Sequence, residues 1–173
     1  DKMQESLKQY NIGGVALFGK NISTPAQLTA FIEEMKRKSS IPLFIGIDEE
    51  GGSVSRIANS PNFDVPKFES MQKIGETGDT ANARNVGMTI GTYLKQYGFN
   101  LDFAPVADTN TNPENIVIGN RSFGNDPKLV AKMVSADISG LHEAEIMSCI
   151  KHFPGHGDTK GDTHNGFVSI DKT

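Results

Sequence analysis

The densest chemistry in this chain lies in residues 151–164, KHFPGHGDTKGDTH. This run carries three of the four histidines, His152, His156 and His164, beside Lys151, Asp158 and Asp162, and is broken by Gly155, Gly157 and Gly161. Several chemistries compete for such a set. His152 and His156 stand at the spacing of helical zinc ligands, and with Asp158 they would make a metal-dependent hydrolase. Pro154, Gly155 and Gly157 break a helix there, so the spacing does not place both rings on one face. The segment GHGDTKGDT has the glycines and lysine of a phosphate cradle, but it departs from GxxxxGK[ST] and no helix follows it. No GxSxG supports a serine nucleophile. An acid–base reading fares better. Asp162 and His164 are one residue apart, and in an extended segment such positions share a side. A carboxylate there holds an imidazole in one tautomer and favours its protonated form. An imidazole titrating near its ordinary value of about 6.5 both gives and takes a proton. The same pairing also suits a loop histidine salt-bridged for local order, and spacing alone does not separate the two readings.

Such groups need a frame, and the rest of the chain supplies an alternating one. Apolar runs at residues 15–18, 43–47, 100–106 and 146–153 read as strands. Between them lie helical periods. Thr24 reads as an N-cap, with Pro25 at the first helical position and Gln27 completing a capping box. Residues 80–97 carry Ala83, Val86, Ile90 and Leu94 on one face and stop at Gly98. Asp126 caps a third helix that buries Val130, Met133, Val134, Ile138 and Leu141. Residues 48–78, with Gly51-Gly52, Pro61 and Pro66, read as a long loop. Near-continuous apolar strands separated by helices imply an α/β fold with parallel strands covered on both faces. Polar residues then collect at one end of every strand: Lys20 and Asn21, then Asp48, Glu49 and Glu50, then Asp108, then Lys151 and His152. Parallel α/β folds bind ligands at that rim.

Composition removes other classes. A net charge of −4 leaves no basic footprint for nucleic acid. No run of 18 apolar residues reads as a membrane span. The opening DKMQESLKQY is polar and is not a signal peptide, which leaves the compartment, cytoplasmic or secreted, open. The single Cys149 excludes an internal disulfide and reads as a small buried hydrophobe.

Four segments, LFIGIDEEGGSVSR (residues 43–56), NLDFAPVAD (100–108), IGNRSFGNDP (118–127) and KHFPGHGDTKGDTH (151–164), together resemble glycoside hydrolase family 3, and more narrowly its β-N-acetylglucosaminidase branch. The resemblance runs through most of the chain in order, and its last segment is highly specific. It implies a (β/α)8 TIM barrel that removes terminal β-linked N-acetylglucosamine with retention of configuration and uses no cofactor or metal. Cell-wall muropeptides in peptidoglycan recycling and chitin-derived oligosaccharides both present that terminus. The resemblance places the general acid/base on His164, paired with Asp162, where the usual DSH has become DTH. It places the sugar-binding positions on Asp48, Arg56, Arg121, Lys151 and His152. The family often has Gln-Glu-Gly-Gly-Arg after the first of these, where this chain has Glu49-Glu50-Gly51-Gly52-Ser53. The histidine loop argues against a β-glucosidase.

Two departures shape the expectation. The family's nucleophilic aspartate falls well downstream of the histidine loop, and Asp171 is too close to the loop to match it. A full barrel takes about 250 residues and eight strands, about twice the strands found here. Residues 1–173 therefore read as a single domain, the N-terminal portion of an incomplete barrel that lacks the nucleophile and is expected to hydrolyse little alone. Open strand edges and an apolar inner face favour self-association where nothing else covers them. A non-catalytic amino-sugar-binding module is the alternative to an enzyme.

Overall fold

In chain order the elements are α1 (Lys2–Gln9), β1 (Gly14–Leu17), α2 (Pro25–Lys38), β2 (Phe44–Ile47), β3 (Glu49–Gly51), β4 (Val54–Ser55), α3 (Met71–Glu76), α4 (Thr80–Tyr97), β5 (Leu101–Asp102), α5 (Pro127–Glu143) and β6 (Met147–Ser148), with 3-10 turns at Gly19–Asn21 and Gly119–Arg121. The structure is a computed structural model that describes residues 2–169, so Asp171 lies outside the described residues. Strands β1, β2, β5 and β6 form one sheet in that order, every pair parallel. An isolated bridge between Val106 and Lys151 carries the last pair one step further.

Strand alternation sorts the sheet's two faces. Ile45 and Ile47 are fully buried and join Leu28, Ile32, Leu94 and Phe99 in the core beneath the helices. On the other face Phe44 and Met147 are 51% and 42% exposed. The expectation of a sheet covered on both faces is therefore met on one face only among the described residues. The in-register row Gly46, Leu101, Met147 belongs to the open face, where the Phe103 ring lies over Gly46.

The helices begin and end where local chemistry directs them. Thr24 accepts from the Gln27 N–H at 3.2 Å. Gln27 Oε1 reaches the Ser23 N–H at 3.0 Å, so the box closes one residue before the cap. Asp79 and Asp126 cap α4 and α5 through the N–H groups of Ala81 and Lys128. Gly98 ends α4 at φ 97°, the left-handed conformation that glycine adopts without penalty. Helices α4 and α5 pack closely because glycine stands at the contact: a Cβ at Gly140 would lie 2.1 Å from the Arg84 carbonyl oxygen, and one at Gly87 2.1 Å from that of Asp137.

Three sequence expectations change. The loop over residues 48–78 holds the β3–β4 hairpin, turned by Gly51 and Gly52 at φ 87° and 67°, and helix α3, capped by Ser70. The third and fourth strands are shorter than their apolar runs. Pro105 has no N–H to extend the ladder beyond Asp102. Cys149 is exposed rather than buried, because the chain beyond β6 belongs to the open side of the sheet.

Candidate active site

The carboxyl ends of three strands converge. Asp48 follows β2, Asp108 lies beyond β5, and Lys151 and His152 lie beyond β6. The hairpin adds Glu50 and Arg56, and the second 3-10 turn adds Arg121. Alternation along residues 48–50 turns Asp48 and Glu50 to the site and Glu49 away from it, where Glu49 accepts from the N–H groups of Ile57 and Ala58 and from the Tyr93 hydroxyl, each at 2.9 Å.

Lys151 Nζ bridges the two outward carboxylates, at 2.6 Å from Asp48 Oδ1 and 2.5 Å from Glu50 Oε1. Arg121 grips Glu50 with two parallel bonds, Nε to Oε2 at 2.8 Å and Nη2 to Oε1 at 2.7 Å, the fork geometry that makes guanidinium–carboxylate pairs specific. Arg56 approaches Asp48 Oδ2 at 3.8 Å. Arg121 Nη2 also meets His152 Nε2 at 3.1 Å, and His152 Nδ1 meets Asp108 Oδ2 at 2.6 Å. All five predicted sugar-binding residues, Asp48, Arg56, Arg121, Lys151 and His152, thus belong to one network. Among the described residues Lys20 and Asn21 do not join it: Asn21 accepts from the Phe18 N–H and closes its own turn.

Two further members of the network lie on the strand-end rim that the sequence marks, though neither the spacing nor the resemblance gives them a role. Glu50 and Asp108 are each 1% exposed at the side chain. Burial alone would raise the Asp108 carboxyl, but the His152 ring and the His156 and His152 N–H groups outweigh it and hold the carboxyl below its usual range. Burial would lower the Arg121 guanidinium, and Glu50 outweighs that, keeping it firmly charged. The charges then balance: Asp48, Glu50 and Asp108 against Arg56, Arg121 and Lys151. A balanced cluster rich in hydrogen-bonding groups suits a neutral polyhydroxyl ligand better than a phosphate, which needs surplus positive charge.

The Asp162–His164 pair forms as its spacing suggests. Asp162 Oδ1 accepts from the His164 N–H at 2.9 Å and contacts its Nδ1 at 2.7 Å. The His164 backbone and ring hold the Asp162 carboxyl below its ordinary value. With Nδ1 engaged, Nε2 is the nitrogen able to exchange a proton with a ligand. His164 is 85% exposed at the side chain, and among the described residues no hydrogen bond joins this pair to the Asp48 cluster.

His156 takes another part. It is buried, with Nδ1 2.7 Å from Thr159 Oγ1 and its N–H donating to Asp108 Oδ1 at 2.6 Å. Asp158 accepts from the Thr111 hydroxyl at 2.7 Å. Each ring nitrogen of His152 and His156 faces a protein group, and among the described residues no three His, Cys, Asp or Glu side chains converge as a metal would require. A cleft of about 650 Å³ opens beside Lys151 and His152, walled by Ile150, Phe153 and Thr111, and touches the network from one side only.

Parallel strands with helices on one face and charged groups gathered at the strand ends define an α/β domain of TIM-barrel type. Residues 1–173 match the glycosyl hydrolase family 3 N terminal domain, and the chain belongs to that family. It is 38% identical to beta-hexosaminidase A of Pseudoalteromonas piscicida, over 98% of this chain and 29% of that protein. It is 35% identical to beta-hexosaminidase LpqI of Mycobacterium tuberculosis, over 96% of this chain and 42% of that one. Among solved structures it superimposes with a TM-score of 0.92 on a family 3 β-N-acetylglucosaminidase from Paenibacillus sp. str. FPU-7, at 34% identity, covering 98% of this chain and 32% of the other. NagZ from Neisseria gonorrhoeae gives 0.90 at 33% identity, covering 100% and 51%. The chain spans less than half the length of the two curated relatives.

Proposed function

We propose that these residues form the sugar-binding and acid/base part of a retaining β-N-acetylhexosaminidase that removes terminal β-linked N-acetylglucosamine. The observation that carries this reading is the 2.7 Å contact between Asp162 and His164 Nδ1, which leaves Nε2 outward on the loop that follows the charge-balanced cluster. The relatives' names support the substrate class. Asp48 accepts from sugar hydroxyls while Arg56, Arg121 and Lys151 donate to them. In the first step His164 Nε2–H gives its proton to the glycosidic oxygen as the C1–O bond breaks and a carboxylate bonds to C1. In the second, neutral His164 takes a proton from the water that replaces that carboxylate. Asp162 stays ionised throughout and stabilises the imidazolium that is present before the first step and re-formed in the second. The nucleophilic carboxylate is assigned to chain beyond Thr173, with residues 1–173 as a single N-terminal unit.

The complete protein that carries these residues tests the reading with a chromogenic β-N-acetylglucosaminide and the matching β-glucoside. Strong preference for the first, with kcat/KM lowered roughly ten- to hundredfold by Asp48→Ala through lost bonds to a charged acceptor, is expected. Calorimetric binding of N-acetylglucosamine without turnover would replace the enzyme by a binding module. Activity abolished by chelator and restored by zinc would favour the metal-dependent hydrolase.

A further inference from the structure

The Asp108 carboxylate is buried and used on both oxygens. Oδ2 accepts from the His152 main-chain N–H at 3.2 Å and meets its Nδ1 at 2.6 Å. Oδ1 accepts from the His156 N–H at 2.6 Å. Its main-chain carbonyl takes the Ser122 hydroxyl at 2.6 Å. All three donors to the carboxylate thus come from the start of the histidine loop.

The contacts fix the location of a proton. Arginine has no acceptor, so the 3.1 Å contact between Arg121 Nη2 and His152 Nε2 requires Nε2 to accept. The ring proton then sits on Nδ1 and points at Asp108. Glu50 holds Arg121 in place through both its oxygens, so the ring is clamped from two sides. The third donor extends the effect. The His156 N–H lies on the segment leading to Asp162 and His164, and Asn115 Nδ2 binds the His156 carbonyl from the opposite loop at 2.6 Å. Asn112 Nδ2 binds the Thr159 carbonyl at 3.0 Å. The base of the loop is tied down through residue 159, while His164 beyond it is exposed.

We infer that Asp108 is a positioning residue: it fixes His152 as the Nδ1–H tautomer, so that Nε2 accepts from Arg121 and holds that guanidinium on the sugar-binding rim, and it ties the base of the acid/base loop to the same rim. This rests on the proposed glycosidase reading for its consequence in turnover, but not for the tautomer itself.

The test uses the complete protein with 15N-labelled histidine, the His152 signals being assigned by their loss in His152→Gln. Long-range 1H–15N spectra should place the proton of neutral His152 on Nδ1. In Asp108→Asn one of the two carboxylate acceptors becomes an NH2 donor, so either the ring or the His156 N–H loses its partner and the charged acceptor of Nδ1–H is gone, and the His152 Nδ1 signal should shift. With a chromogenic β-N-acetylglucosaminide, Asp108→Asn should raise KM roughly tenfold or more, as expected for one mispaired buried group. A wild-type His152 protonated on Nε2, or an Asp108→Asn spectrum unchanged at His152, overturns the inference. If Asp108→Asn does not fold, the wild-type tautomer decides alone. If the protein cleaves no β-N-acetylglucosaminide, the spectra still decide the tautomer while the glycosidase reading fails separately.

Discussion

At the scale of single residues the site is a set of buried charges that hold one another. Glu50 is the keystone: it faces both Lys151 and Arg121 and is almost wholly shielded from water. Glu50→Ala leaves the partly buried Arg121 without its carboxylate and Lys151 with Asp48 alone, and should destabilise the fold by about 3–5 kcal/mol in chemical denaturation. The resemblance in residues 43–56 and 151–164 named Asp48, Arg56, Lys151 and His152, and IGNRSFGNDP named Arg121. The structure gathers all five into one network. Glu50 and Asp108 stand on the strand-end rim in the sequence but receive no role there, because their meaning lies in partners far along the chain. Arg121 is 71 residues from Glu50, and His152 is 44 residues from Asp108. No local spacing signals such a pair. The Asp162–His164 contact spans two residues, and spacing was enough to suggest it.

At the scale of elements, helix ends were legible and strand ends were not. Caps at Thr24, Asp126 and Gly98 act within a few residues, so the sequence carries them in full. Strand length depends on neighbours, and the apolar runs at 100–106 and 146–153 shorten to two residues each once Pro105 and the open face are in place. The hairpin was hidden because Gly51-Gly52 signals a turn without telling a tight hairpin from a long loop. Packing between α4 and α5 yields a direct prediction. Gly140→Ala improves helix propensity but drives a Cβ into the Arg84 backbone, so it should cost roughly 1–3 kcal/mol net. Gly13→Ala, which meets nothing within 4 Å, should change stability little. The same interface buries Asp137, whose carboxyl burial pushes up to about 8 from an ordinary 3.8. The native state therefore keeps a proton that the unfolded chain releases between those values. Stability from this group is full below 3.8 and is lost as pH rises towards 8. Denaturation midpoints should fall across that window, and Asp137→Asn should flatten the slope and gain most near its upper end.

At the scale of the whole molecule, the sheet has a helix-covered face and an open one that carries Phe44 and Met147. Exposed strand edges and apolar side chains together favour association. The isolated 173-residue chain should sediment as concentration-dependent oligomers, and Phe44→Ser with Met147→Ser should shift it towards monomer; a monomer at all concentrations would count against that use of the face. The α/β class and the order of strands and helices were legible because each apolar run is local. The apolar runs do not show the one-sided covering, since they look alike whether one face or both are covered; the expectation of an apolar inner face comes from the resemblance to a barrel with half its strands. The central claim concerns proton delivery by His164 in the complete protein. It is tested most directly by measuring kcat/KM for a series of aryl β-N-acetylglucosaminides with His164→Gly. If His164 is the general acid/base, the loss should be slight for leaving groups that depart without a proton and should grow steadily as they become more basic. An equal loss across the series would contradict the account and leave His164 a structural role.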